Sequence, residues 1–85
     1  MEKTIMIVMV PKRNVLVPKV QEALTEFGCL IKTRLGIHDT SPDECSNCGL
    51  IILELVGDKK EQDKLGSKLK NIKGVQVKIE RMTCK

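Results

Sequence analysis

An α+β fold with the element order β-α-β-β-α-β is predicted by three features of this 85-residue chain. Thr4–Val10 is apolar at every position after Thr4, the pattern of a strand buried on both faces. Two segments, Asn14 to Phe27 and Asp58 to Ile72, place apolar residues at three- and four-residue steps, as helices do. The remaining stretches carry short runs in which apolar and polar residues alternate, the period of strands with one face in the core. The length allows a single domain, 1–85, because domains typically run ~100–150 residues.

Each element follows in order. Thr4–Val10 is the first strand, and its two-sided apolar character places it centrally in a sheet. Asn14 is the predicted cap of the first helix, whose buried positions are Leu16, Val20, Ala23, Leu24 and Phe27; Pro18 falls in its first turn and Gly28 ends it. Leu30–His38 is the second strand, with Ile31, Thr33, Leu35 and Ile37 expected on the core face and Lys32, Arg34, Gly36 and His38 on the other. Asp39–Asn47, polar and containing Ser41-Pro42-Asp43, is a loop that closes a hairpin with a third strand from Cys48 to Val56. Asp58 with Glu61 three residues later is a capping-box-like start for the second helix, whose stripe is Leu65, Leu69 and Ile72 before the stop at Gly74. Val75, Val77 and Ile79 alternate with Gln76, Lys78 and Glu80 in a fourth strand reaching toward Met82.

This order is the ferredoxin-like unit: a four-stranded antiparallel sheet with strands one and three in the middle and both helices on one face. Strand three carries Leu50, Ile52 and Val56 on the side the helices leave bare, with Arg34 and Glu54 expected there too, Glu54 pairing with Arg34 or with a charge of a partner subunit. An apolar face of that size calls for a partner, so a homodimer or homotetramer through the helix-free face is predicted. A chain this short buries only ~60–65% of its unfolded surface, which makes a metal, a disulfide or a second subunit the natural reinforcement.

Composition narrows the function. With 41% hydrophobic and 31% charged residues the chain is globular, yet it has no Trp, no Tyr and one Phe, which leaves no platform for stacking bases. The net charge is +4, and Asp58–Lys73 holds six lysines against three acids, +3 of that excess. Its acids come first and its lysines last, as a helix dipole favours, so the segment reads as a solvated helix face and nucleic-acid binding has little support. The apolar run at Thr4–Val10 is too short to span a bilayer and is followed by Pro11, Lys12 and Arg13, not by a small-residue cleavage site. A cytoplasmic protein with no membrane partner is expected, and its four cysteines then point to metal or redox chemistry.

The chemistry-bearing segment is His38-Asp-Thr-Ser-Pro-Asp-Glu-Cys45-Ser-Asn-Cys48-Gly49, a His-x6-Cys-x2-Cys hairpin. A Cys-x-x-Cys ahead of a glycine can fold as a knuckle that turns two sulfurs toward one tetrahedral ion. His38, Cys45 and Cys48 are the candidate metal ligands, with Zn²⁺ the expected ion and Asp39, Asp43, Cys84, water or a partner residue open as the fourth. Two other readings stand beside it: a thiol redox switch using Cys45 and Cys48, and a metal-free effector-binding or protein-interaction module with a regulatory partner. Cys29 reads as a buried small hydrophobe at a strand start, and Cys84 as a terminal residue with little claim to a ligand role. Catalysis is not expected, since no nucleophile accompanies the lone histidine, no paired carboxylates sit in apolar context and no phosphate loop follows strand one. Gly66 inside the second helix signals close packing on the sheet, because glycine there costs ~1 kcal/mol relative to Ala.

The pattern Arg34-Leu-Gly-Ile-His38, Gly49-Leu-Ile-Ile-Leu-Glu-Leu55 and Leu65-Gly-x-Lys-Leu-x-x-Ile-x-Gly-Val-x-Val-Lys78 resembles the small ACT-like proteins described as iron-only hydrogenase system regulators. The stretch from His38 through Cys48 to the second helix is also similar to the C-terminal sensing domain of nickel-responsive repressors. These resemblances imply an ACT-like fold, oligomerisation and a regulatory role, and the second implies ligand positions at His38 and Cys48.

Overall fold

The computed structural model describes residues 1–11, 13–38 and 48–84. Its elements are β1 (Glu2–Val10), α1 (Arg13–Glu26), a 3-10 turn (Gly28–Leu30), β2 (Ile31–His38), β3 (Gly49–Leu55), α2 (Lys59–Lys70) and β4 (Gln76–Thr83). The strands form one antiparallel sheet in the order β2-β3-β1-β4, with β1 and β3 central as the apolar patterning predicts.

Burial divides β1 cleanly. Met6, Val8 and Val10 are buried under the helices, while Ile5 and Ile7 on the other side are only partly covered. Ile51, Leu53 and Leu55 of β3 join the same core with Val20, Ala23 and Leu24 of α1, Leu65 and Leu69 of α2, and Val75 and Val77 leading into β4. Gly66 has the predicted role: a Cβ there would stand 3.2 Å from Ile79 Cδ1 and 3.6 Å from Met6 Cε, so α2 rests directly on the sheet.

Asp58 caps α2, its Oδ1 accepting from the Lys60 amide at 2.9 Å, but the reciprocal arm of the capping box is not made. Glu61 instead accepts from Lys64 Nζ at 3.1 Å along the helix face. Helix α1 starts at Arg13, one residue before the predicted cap Asn14. Pro18 therefore lies inside the helix beyond its first turn, where it removes one backbone bond. The turn before α2 needs Gly57, whose φ of +88° is the left-handed region and whose Cβ would meet Leu30 Cδ2 at 2.9 Å.

Strand β2 departs from expectation. Ile31 pairs with Leu55 on the helix side, but a bulge follows, and Thr33 pairs with Glu54, Arg34 with Leu53 and Leu35 with Ile52. Lys32 is the extra residue, so every later position changes row: Thr33 and Leu35 belong to the helix-free face, Arg34 and Gly36 to the other. The expected Arg34–Glu54 pair is thereby excluded, and Glu54 is instead 3.5 Å from Lys3 Nζ. Cys29 is also corrected, since it lies exposed in the 3-10 turn and not at a buried strand start. Leu30, half-buried in that turn, accepts at its carbonyl oxygen from the Val56 amide at 2.7 Å.

Candidate functional site

The helix-free sheet face is an ordered array set by the ladder register. One row across the sheet is Leu35, Ile52, Ile7 and Lys78; the next toward the hairpin holds Leu50 and Met9 with Gln76 at its end; the next in the other direction is Thr33, Glu54, Ile5 and Glu80. Leu50, Ile52, Ile5 and Ile7 are half-buried by their neighbours alone, Leu35 is 52% exposed and Val56 41%. The apolar centre therefore spans β2, β3 and β1, and β4 borders it with the charged pair Lys78 and Glu80.

At the hairpin end of this face lies Cys48, whose thiol donates to the Met9 thioether at 3.0 Å. Met9 pairs with Leu50 across the ladder, so both sulfurs belong to the helix-free side. His38 pairs with Gly49, which places it in the row of Gly49, Ile51 and Leu53, one step out of phase with Cys48 and Leu50. Without the Lys32 bulge the ladder would have set the backbone of His38 opposite Cys48, and with it His38 stands opposite Gly49. Cys45, Asp39 and Asp43 fall outside the described residues. Among the described residues no group of three or more His, Cys, Asp or Glu side chains converges. Cys84 is exposed, and its amide extends the ladder by donating to the Met1 carbonyl at 2.8 Å.

The other polar cluster is structural. Arg81 Nη2 donates to Gln62 Oε1 and to Asp63 Oδ1, both at 3.1 Å, tying α2 to the end of β4. The described basic residues of α2 are largely engaged on the surface: Lys59 with Glu2, Lys64 with Glu61 and Lys68 with Glu26. That matches the solvated helix face expected from the charge order. No described helix is long and apolar enough to cross a membrane.

With this geometry in hand, the comparisons decide the family. Residues 3–79 match the family model TM1266-like, described as "Iron-only hydrogenase system regulator, putative". The chain belongs to this TM1266-like regulator family. The first resemblance drawn from Arg34–His38, Gly49–Leu55 and Leu65–Lys78 is therefore correct. Among solved structures, protein TM1266 of Thermotoga maritima is 28% identical with a TM-score of 0.80, over 98% of this chain and 100% of that one. CPII, a nitrogen regulatory PII-like protein from Thiomonas intermedia K12 bound to ADP, AMP and bicarbonate, shares the fold at a TM-score of 0.68 and 9% identity, over 96% of this chain and 89% of that one. The regulatory subunit of aspartate kinase from Thermus flavus aligns at a TM-score of 0.58 and 15% identity, over 93% of this chain and 50% of that one. No curated relative matches the sequence.

Sequence reasoning misses Thr33, Leu35 and Met9 on the open face of this TM1266-like chain: alternation places Thr33 and Leu35 on the core side, and the closeness of Met9 to Cys48 is not legible from spacing. The alternation of β1 does carry the signal for the face of Met9, since Met9 shares parity with Ile5 and Ile7.

Proposed function

We propose that this regulator works as a homo-oligomeric regulatory or sensor subunit whose helix-free sheet face is covered by another copy of the chain. The observation that carries this reading is the uncovered block Ile5, Ile7, Leu35, Leu50 and Ile52, apolar side chains of one contiguous face left partly or largely in water by the monomer. Its mixed rim of Lys3, Glu54, Lys78 and Glu80 has both charge signs, as a self-complementary surface requires. Membership of a regulator family supports the class of function, and its fold is shared with a PII-like regulatory protein. Sedimentation of the native chain and of Ile52→Lys tests the reading: the native chain should associate and the variant should lose the face contact, because a lysine there would bury an unpaired charge. A native chain that stays monomeric at ~100 μM, or an Ile52→Lys variant associating through this face as before, would overturn it.

Metal sensing by His38, Cys45 and Cys48, with Zn²⁺ as the expected ion, is the finer part of the proposal. It is supported by the His-x6-Cys-x2-Cys spacing and by the position of Cys48 on the same face as Ile52. Metal analysis of anaerobically purified protein and titration with Zn²⁺ test it, and the absence of both bound metal and uptake would leave the metal-free regulatory module.

A further inference from the structure

The contact between Cys48 and Met9 lies outside the hydrophobic core: both side chains belong to the helix-free face, Met9 exposed and Cys48 half-buried. As a hydrogen bond it is poor, because a thiol is a weak donor and a thioether a weak acceptor. As a pair of metal ligands it is well matched, since thiolate and thioether are both soft. The ladder brings them together, Met9 near the end of β1 and Cys48 just before β3, with Val10 paired to Gly49 and Met9 to Leu50.

The surroundings choose among ions. The row that holds Met9 contains Leu50 and Gln76. The described carboxylates of this face, Glu54 and Glu80, both pair with Ile5, four residues or about 13 Å back along β1. His38 stands in the other row, opposite Gly49. Zn²⁺ is held by thiolate, imidazole and carboxylate ligands, almost always in a closed tetrahedron when structural, and thioether sulfur is not among its usual donors. Cu(I) is the ion that takes thiolate and thioether together.

We propose that Cys48 and Met9 form a site for a soft monovalent ion, Cu(I), on the helix-free face. On binding, the Cys48 S–H bond breaks and its proton passes to solvent, while the thiolate and the Met9 thioether each give a lone pair to Cu(I), whose oxidation state does not change. One monovalent cation replaces another, so the loaded pair carries no net charge, as its apolar neighbour Leu50 favours. Neither sulfur is locked in the core, and the flexible, unbranched methionine side chain lets the two separate to admit the ion. The site shares Cys48 with the Zn²⁺ reading above but uses neither His38 nor Cys45.

The test uses the full chain with Cys29, Cys45 and Cys84 changed to serine, which leaves Cys48 as its one thiol. Because this chain lacks Cys45, its result is independent of the Zn²⁺ reading. Held anaerobically with Cu(I) buffered by a chromophoric chelator, it should take up a single ion. Met9→Leu in the same background should weaken uptake by ~10-fold or more, the low end of what losing even an outer partner costs a metal site. Leucine and methionine exchange with little effect on packing, so the fold tolerates the change. Ag(I), a diamagnetic stand-in, should shift the Met9 methyl resonance and leave those of Met1, Met6 and Met82 in place. No Cu(I) uptake, an affinity that Met9→Leu does not change, or a Met9 methyl that ignores Ag(I) would each overturn the proposal and leave the Zn²⁺ reading to its own test.

Discussion

Cys48 and Met9, 39 positions apart in sequence, bring their sulfurs to 3.0 Å on the helix-free face of the sheet. The second cysteine of the Cys-x-x-Cys therefore shares a surface with Ile52, and its reactivity tests the proposed association through that surface. If the native chain associates as proposed, alkylation of Cys48 by a bulky maleimide should lag behind that of exposed Cys29 and Cys84. In Ile52→Lys the lag should shrink, as peptide mass spectrometry of timed samples would show. Equal lag in both chains would place Cys48 outside the contact.

Metal binding, if it uses His38, Cys45 and Cys48, must displace protons from thiols and compete with protonation of imidazole. Zn²⁺ uptake should release protons at neutral pH and weaken as the solution is acidified. Titration in two buffers of different ionisation enthalpy measures the proton count, and Cys45→Ser should lower affinity without altering the far-ultraviolet circular dichroism.

At Gly66 a Cβ would stand 3.2 Å from Ile79 Cδ1 and 3.6 Å from Met6 Cε, so α2 lies close on the sheet there. Gly66→Val must push Ile79 and Met6 aside, and a destabilisation of ~1–3 kcal/mol is expected from overpacking. Urea denaturation should show the midpoint fall with an unchanged slope. Gly66→Ala sits closer to neutral, since its gain in helix propensity of ~1 kcal/mol offsets a contact with the mobile end of Ile79.

Asp58→Ala removes the acceptor of the Lys60 amide and should cost ~1 kcal/mol. Glu61→Ala should cost a few tenths of a kcal/mol at most, because among the described residues Glu61 pairs with exposed Lys64 and makes no arm of a capping box. Thermal melts of the two variants separate these outcomes.

Leu53→Ala cuts into the centre of the core, where Leu53 is fully buried beside Met6 and Leu65, and a loss of ~2–5 kcal/mol is expected. The same truncation at Leu35 should cost the monomer far less, while weakening association if Leu35 lies in the proposed contact.

The element order, the central place of β1 and β3, the cap at Asp58 and the packing role of Gly66 are all legible in the residue pattern. Each is encoded locally, in periodicity, a polar cap or a glycine out of place in a helix. It also carried the regulator resemblance that the family match supports. The side of the sheet to which each position of β2 belongs is set by strand pairing and not by local pattern. Alternation reveals that Ile31, Thr33, Leu35 and Ile37 repeat every second position, but both faces of this sheet are apolar, so hydrophobicity gives no preference between them. The extra residue at Lys32 then moved Thr33 and Leu35 to the helix-free face, separated Arg34 from Glu54, and put His38 in the row of Gly49 rather than that of Cys48. A bulge is a property of two paired strands, and one strand's sequence does not contain its partner's register.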